Sequence, residues 1–327
     1  MHIDPVVVGF GLGVGILVGM TGVGGGTLMT PILILIIGVK PITAIGSDLA
    51  YSAVTRTVGG WRHWRQRTVD VPLSLWMAVG SVPAAVGGVV ALKALQHGDK
   101  KSFDDTVLIT LGAVLMLCGI AMLARLLLTQ AVARERERVE LTRRDRVVAA
   151  FLGLAIGFVL GVTSAGSGAL ITVVLILVFR LAPRQVVGTD MFHAAILLWA
   201  AALAHIVAGD VDYGLAGTIL IGSVPGVWVG SALIYRVPVG ALRIALALLL
   251  VGASMALLQK AGSDIPTAVL ALFPLTVGAL FLISYLRTRE PGQAGEELRS
   301  LDRPAVSAVG DSSPPRLAAE LPASGRK

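Results

Sequence analysis

The chain has 327 residues, 55% of them hydrophobic and 14% charged, with a formal net charge of +7 and a mean hydropathy of +0.83. Charged residues make up roughly 25% of a soluble domain, so the composition excludes an ordinary soluble fold and calls for an all-α polytopic membrane protein. The lone Cys118 rules out an internal disulfide, and a positive balance in so apolar a chain points to Arg-rich cytoplasmic loops rather than to nucleic acid.

Apolar stretches long enough to cross a bilayer, about 20 residues, recur along the chain. Val6–Val39, Ala44–Gly60, Pro72–Leu92 and Thr106–Leu128 come first. A charged linker follows, Ala133–Arg146, with six Arg against three Glu and one Asp, and is expected to form a solvated helix. The second half gives Val147–Phe179, Val186–Val207, Tyr213–Tyr235, Ala241–Leu258 and Ile265–Leu286. The implied organisation is a first transmembrane repeat over 1–128, a basic cytoplasmic linker over 129–146 and a second repeat over 147–258. An additional C-terminal helix over 259–286 and a tail over 287–327 complete it; the tail holds too few large apolar residues to order itself. The first five residues lack a basic flank and a small-residue cleavage site, which reads as no removable signal peptide.

Residues 19–88 reappear without a gap as 161–230, an offset of 142, with about 22 of 70 positions identical. Gly19, Thr21, Gly24, Gly26 and Thr30 fall on Gly161, Thr163, Gly166, Gly168 and Thr172. Pro41, Gly46 and Asp48 meet Pro183, Gly188 and Asp190, and the run Gly80 to Pro83 recurs unchanged as Gly222 to Pro225. Duplication in an apolar background is the layout of secondary transporters, whose substrate site lies where two repeats meet.

Val6–Val39 and Val147–Phe179 are long for one span and short for two. Each is interrupted near its middle, by Gly19 to Gly26 and by Gly161 to Gly168. Each glycine disfavours helix by about 1 kcal/mol relative to Ala, and bare backbone at membrane depth is tolerated only against protein or a wet cavity. Each segment therefore reads as two short helices joined by an unwound tip. Placing the arginine clusters inside puts the loops at Lys40, Asp99–Lys101 and Asp210–Asp212 outside, provided that each long segment folds back as a hairpin. The repeats are then inverted. If each long segment crosses once as a broken helix, the repeats run parallel and Arg184, Arg236 and Arg287 fall outside. The charge distribution favours the inverted arrangement.

The tips are the first candidate site. Bare N–H groups at a helix start, backed by the helix dipole, bind anions without a cationic side chain. Gly22, Gly24, Gly25 and Gly26 in one tip and Gly166 and Gly168 in the other supply such amides. Thr21, Thr163, Ser164 and Ser167 add hydroxyls, and Thr27 and Ala169 begin the outgoing helices. Small residues that only permit tight helix crossing are the plainer alternative. Asp48 and Asp190, equivalent acids inside membrane segments, are proton-coupling candidates, or else helix N-terminal charges near the interface. His193, one turn beyond Asp190, either joins it in a proton relay or makes a structural hydrogen bond. Arg56, two turns beyond Asp48, either pairs with the anion or snorkels to the surface. His63 and His205 read as surface anchors. No Cys/His cluster has metal spacing and no Walker motif is present, so no metal or cofactor is expected and gradients must supply the energy.

The run from Gly19 through Pro31, with Pro41, Gly46, Ser47, Asp48 and Asp70, resembles the TauE/SafE family of sulfite exporter-like permeases. Gly188 to His193, Gly209 to Asp212 and Gly222 to Pro225 resemble its second half, and the likeness covers roughly residues 6–258. Ser167 stands where a third glycine is expected, and Val173 replaces the proline matching Pro31. The resemblance implies a carrier linked to the proton-motive force that moves small anions, often sulfite or organosulfonates, across the inner (cytoplasmic) membrane. The expected partners are a small anionic solute and the lipid bilayer, with a homodimer left open. The competing classes are an anion channel and an intramembrane enzyme using Asp48 and Asp190 as a shared-proton dyad.

Overall fold

A computed structural model gives the fold and describes residues 4–21, 24–96, 99–128, 139, 141–233, 239–263 and 276. The order is α1 (Pro5–Thr21), α2 (Gly26–Ile32), a π-helical turn (Leu33–Ile37), α3 (Pro41–Arg65), α4 (Val71–Leu95), α5 (Lys100–Leu128) and α6 (Arg143–Thr163). Then come α7 (Leu170–Leu177), α8 (Pro183–Ala208), α9 (Tyr213–Leu233) and α10 (Val239–Lys260). Five of these, α4, α5, α6, α8 and α9, are long and apolar enough to cross a bilayer. The fold is an all-α, multi-pass membrane protein.

Local chemistry sets the helix ends. Proline, whose missing N–H is harmless in a first turn, opens α3 at Pro41 and α8 at Pro183. Asp70 caps α4 by accepting from the Leu73 amide at 3.1 Å. Thr142 and Asp145 form a capping box that starts α6. Thus the last arginines of the linker lie in the first turn of α6, and Lys100 and Lys101 open α5 instead of lying in a loop. Ala133–Arg138, the tail and Ile265–Leu286 apart from Thr276 lie outside the described residues.

Both glycine-rich segments break as expected: α1 ends at Thr21 and α2 starts at Gly26, while α6 ends at Thr163 and α7 starts at Leu170. In the second break Ser164 (φ 59°) and Gly166 (φ +105°) take left-handed backbone that forces the chain out of helix.

Helix directions follow from close glycine contacts. A Cβ on Gly11 would sit 2.8 Å from the Ile219 carbonyl oxygen and one on Gly15 would sit 2.5 Å from that of Ser223, so α1 and α9 run parallel. The same pairing recurs 142 residues on, where Gly153 and Gly157 meet the carbonyls of Met77 and Ser81 and lay α6 along α4. Gly80 and Gly88 return the contact against Ala150 and Phe158, as Gly222 and Gly230 do against Val8 and Ile16. Small residues let the backbones approach this closely in lipid, where apolar side chains gain little by leaving their surroundings. By contrast, α3 and α8 cross antiparallel, Gly46 meeting Asp210 at one end and Gly60 meeting Met191 and Phe192 near the other. Ser47 near the start of α3 accepts from the Asp212 amide just before α9 at 3.0 Å, so α3 and α9 begin on the same side. Hence α1, α3 and α9 share one direction, and α2 must turn back between α1 and α3. The first long segment is a hairpin.

The arginine-rich ends of α3, α6 and α8 gather on one face. Arg65 stacks 4.7 Å over Trp61, Arg146 lies 5.6 Å from the Trp76 ring, and the Val139 amide reaches Asp70 at 2.9 Å. Large apolar side chains point outward, among them Val207 (89% exposed), Phe151 (68%) and Val90 (63%), which suits a lipid-facing surface, while the polar groups turn inward.

Candidate functional site

The two breaks meet. A Cβ on Gly24 would lie 2.5 Å from Ser167 Oγ, and one on Gly26 would lie 2.7 Å from the Ser164 carbonyl oxygen. Thr30 Oγ1 and Ser164 Oγ are 2.7 Å apart. Thr163, Ser164, Gly166, Ser167 and Gly168 are all buried in this contact. Thr21 and Thr163, equivalent in the two halves, each bond back to the carbonyl four residues earlier, at 2.6 and 2.7 Å. Thr27 donates to the Gly24 carbonyl at 2.9 Å. Gly22 lies outside the described residues.

A cavity of about 650 Å³ reaches the first break only. Its inner end is lined by Gly19, Thr21, Gly25, Tyr51, Arg56 and Ser223, and its outer end by Arg62 and His63 on the basic face. Val14, Val18, Val58 and Val227 make its sides apolar. No second-break residue lines it, so the two tips are not equivalent in this structure. Gly25 has no room for a side chain because the Tyr51 hydroxyl occupies that place.

The charged groups divide. Arg56, 4% exposed, donates from Nη1 to Asp190 Oδ2 at 3.2 Å and to Met191 Sδ at 3.0 Å. It is therefore not a snorkelling surface residue: it bridges α3 to α8 at the cavity wall. Asp48 is fully buried against the second break and accepts from Thr30 at 2.7 Å, so it is not an interfacial helix charge. His193 turns both ring nitrogens to α4, with Nδ1 3.2 Å from the Ser74 carbonyl and Nε2 3.4 Å from Ser81 Oγ. A carbonyl can only accept, so Nδ1 carries the hydrogen in this pairing.

His205 is not a surface anchor. It is buried, with Nε2 3.0 Å from the carbonyl of Gly161 at the end of α6 and Nδ1 3.1 Å from Asp210 Oδ2. Lys93 at the end of α4 donates to the other oxygen of Asp210 at 2.7 Å. This network ties the ends of α4, α6 and α8 together beside the start of α3. Burial alone would raise the Asp210 carboxyl, but His205 and Lys93 outweigh it and hold the group below the ordinary Asp value. A depressed carboxyl pKa contributes stability that is complete above the unfolded-state value, about 3.9, and is lost as pH falls through the folded-state value. Melting in detergent should therefore show wild type losing stability below about pH 4, with Asp210→Asn less stable near neutrality and flatter in acid.

Tyr51, Ser52, Thr30 and Ser223 also face this region and are not among the site residues that the sequence singles out. Thr30 and Ser223 both lie at positions identical in the two halves, which was the available signal. Among the described residues no group of three or more His, Cys, Asp or Glu side chains is placed to hold a metal ion.

Residues 7–257 match the protein-family model for sulfite exporter TauE/SafE. A probable membrane transporter protein of Bacillus subtilis (strain 168), YjnA, is 39% identical over 225 residues, covering 68% of this chain and 87% of its own. A second from the same organism, YdhB, is 28% identical over 219 residues, covering 66% and 84%. No solved structure matches. The two broken helical segments, the matched family and these relatives agree: the chain belongs to the sulfite exporter TauE/SafE family of membrane transporters.

Proposed function

We propose that the protein is a secondary carrier of small anions, sulfite or an organosulfonate first among them, in the cytoplasmic membrane. The observation that carries this reading is three buried polar groups on the cavity wall beside the first break. Arg56 Nη2 and Ser223 Oγ have no hydrogen-bond partner among the described residues, and the Tyr51 hydroxyl, between Asp48 and the cavity, completes no hydrogen bond of full geometry. Donors held ready in a low-dielectric pocket favour an anion, and a guanidinium edge is the strongest of them. The apolar sides of the cavity give a desolvated path to that point.

The energy source in this reading is the proton-motive force. Asp190 shares Arg56 with the incoming anion; once the anion takes part of the guanidinium, Asp190 is the carboxylate best placed to accept a proton. Asp48 and His193 lie further in, away from the cavity lining. Alternating access follows from treating residues 19–88 and 161–230 as inverted repeats. His205 now bonds the Gly161 carbonyl, whereas the equivalent His63 and Gly19 both line the open cavity. His63 already bonds Thr68 at 3.0 Å, as His205 bonds the equivalent Asp210. Closing the basic face would form the His63–Gly19 contact and release His205.

Isothermal titration of the purified protein with sulfite, sulfate, thiosulfate, short sulfonates and carboxylates tests the site. At least one anion should bind wild type, and Tyr51→Phe should weaken it roughly tenfold, the loss of one hydrogen bond to a charged group. Gly24→Val, which drives a side chain into Ser167 and Arg56, should abolish binding. Unchanged affinity in both variants would remove the site from this cavity.

A further inference from the structure

The Asp48 carboxylate lies at the one place where side chains of the first half and opened backbone of the second converge. Oδ2 accepts from Thr30, and Thr30 is bonded in turn to Ser164. The Ser164 carbonyl, at the C-terminal end of α6, approaches the same point. A Cβ on Gly26 would be 2.8 Å from Asp48 Oδ2 and 2.7 Å from that carbonyl oxygen. Tyr51 and Ser52, one turn further along α3, bring their hydroxyls to the same carboxylate. Asp48 Oδ1, Tyr51 Oη and Ser52 Oγ, all buried, lie close enough to influence one another, yet none meets the geometry of a full hydrogen bond with a described residue. Buried oxygens in that condition are rare, because each forfeits its hydration.

We infer that this cage is a sodium site, with Asp48, Thr30, Ser52 and the Ser164 carbonyl as its ligands. Every candidate ligand is a hard oxygen, the set suited to alkali and alkaline-earth ions. Asp48 is the one carboxylate among the candidate ligands, which suits a monovalent ion; calcium sites usually draw on several carboxylates. Unwound carbonyls and half-helix C-terminal ends coordinate such ions at repeat interfaces in transporters, and Ser164 is the C-cap of α6. Thr30, Asp48 and Ser52 come from the first half and Ser164 from the second, so the ion would tie the two breaks together beside the anion cavity. Occupation of the cage stands apart from the anion reading; only the ion's role as a second driving ion rests on it.

The test is melting of the purified full-length protein in detergent, in sodium, potassium or choline chloride at equal ionic strength and at each of several pH values. Sodium should raise the midpoint saturably by about 5 °C, with potassium and choline without effect. Asp48→Asn and Ser52→Ala should each remove the sodium-specific rise; if the first does not fold, Ser52→Ala and Thr30→Val carry the comparison. Equal midpoints in the three salts at every pH would overturn the site, as would a sodium rise that survives in Asp48→Asn. A midpoint that follows pH alone would make Asp48 a proton carrier and overturn it too. Anion-induced stabilisation, scored in the same samples, reports on the cavity separately: its absence alongside a sodium rise would refute the carrier reading and leave the cage intact.

Discussion

Arg56→Gln is expected to abolish anion flux and to lower stability by about 3–5 kcal/mol, the usual result of removing one member of a buried ion pair. Arg56 and Asp190 are each about 4% exposed and meet at 3.2 Å, so the substitution leaves a carboxylate deep in the protein without its cation. Two effects are mixed in that single change, and a second variant separates them. In Arg56→Gln with Asp190→Asn, both partners are neutral and can still bond, so most of the stability should return. Flux should not, because the guanidinium edge on the cavity wall is gone. Thermal unfolding and vesicle uptake on the same preparations give both numbers. Recovery of flux in the double variant would mean that the arginine serves only to neutralise Asp190.

The second large effect concerns packing. Gly157→Leu should prevent a stable fold, costing about 3 kcal/mol or more, because a Cβ there would already lie 2.6 Å from the Ser81 Cα and closer to its carbonyl. The collision is with backbone, which no rotamer change relieves, and α6 would have to leave α4. Gly15→Leu meets the equivalent obstacle at Ser223, 2.5 Å from its carbonyl oxygen. Gly13 and Gly87 provide the contrast, since a Cβ at either meets nothing within 4 Å. Gly13→Ala and Gly87→Ala should each stabilise by about 1 kcal/mol through helix propensity. Size-exclusion profiles and melting midpoints of the four variants distinguish packing glycines from incidental ones.

Much of this architecture is legible in the chain because membrane helices carry strong, local signals. Apolar length located the spans, glycine clusters located both breaks, and the arginine distribution chose the hairpin that the Gly15–Ser223 and Ser47–Asp212 contacts require. Polar partners across long sequence separations were not legible. Nothing near Lys93 announces Asp210, 117 residues away, or ties His205 to Gly161. His193 shows the limit of helical-wheel reasoning: one turn from Asp190 puts the two on a common stripe, but the ring nitrogens meet Ser74 and Ser81 on α4. Tyr51 and Ser52 were hidden for a different reason. A hydroxyl within an apolar helix often bonds its own backbone, as Thr57 does to Ala53, so its presence alone does not mark a site.

The most direct measurement is counterflow: proteoliposomes loaded with unlabelled sulfite or sulfonate are diluted into trace labelled anion, with wild type and Arg56→Gln compared. A carrier holding its anion at Arg56 predicts a transient overshoot of label in wild type and none in the variant. No uptake of any tested anion by wild type, or the same overshoot in both proteins, would contradict the account.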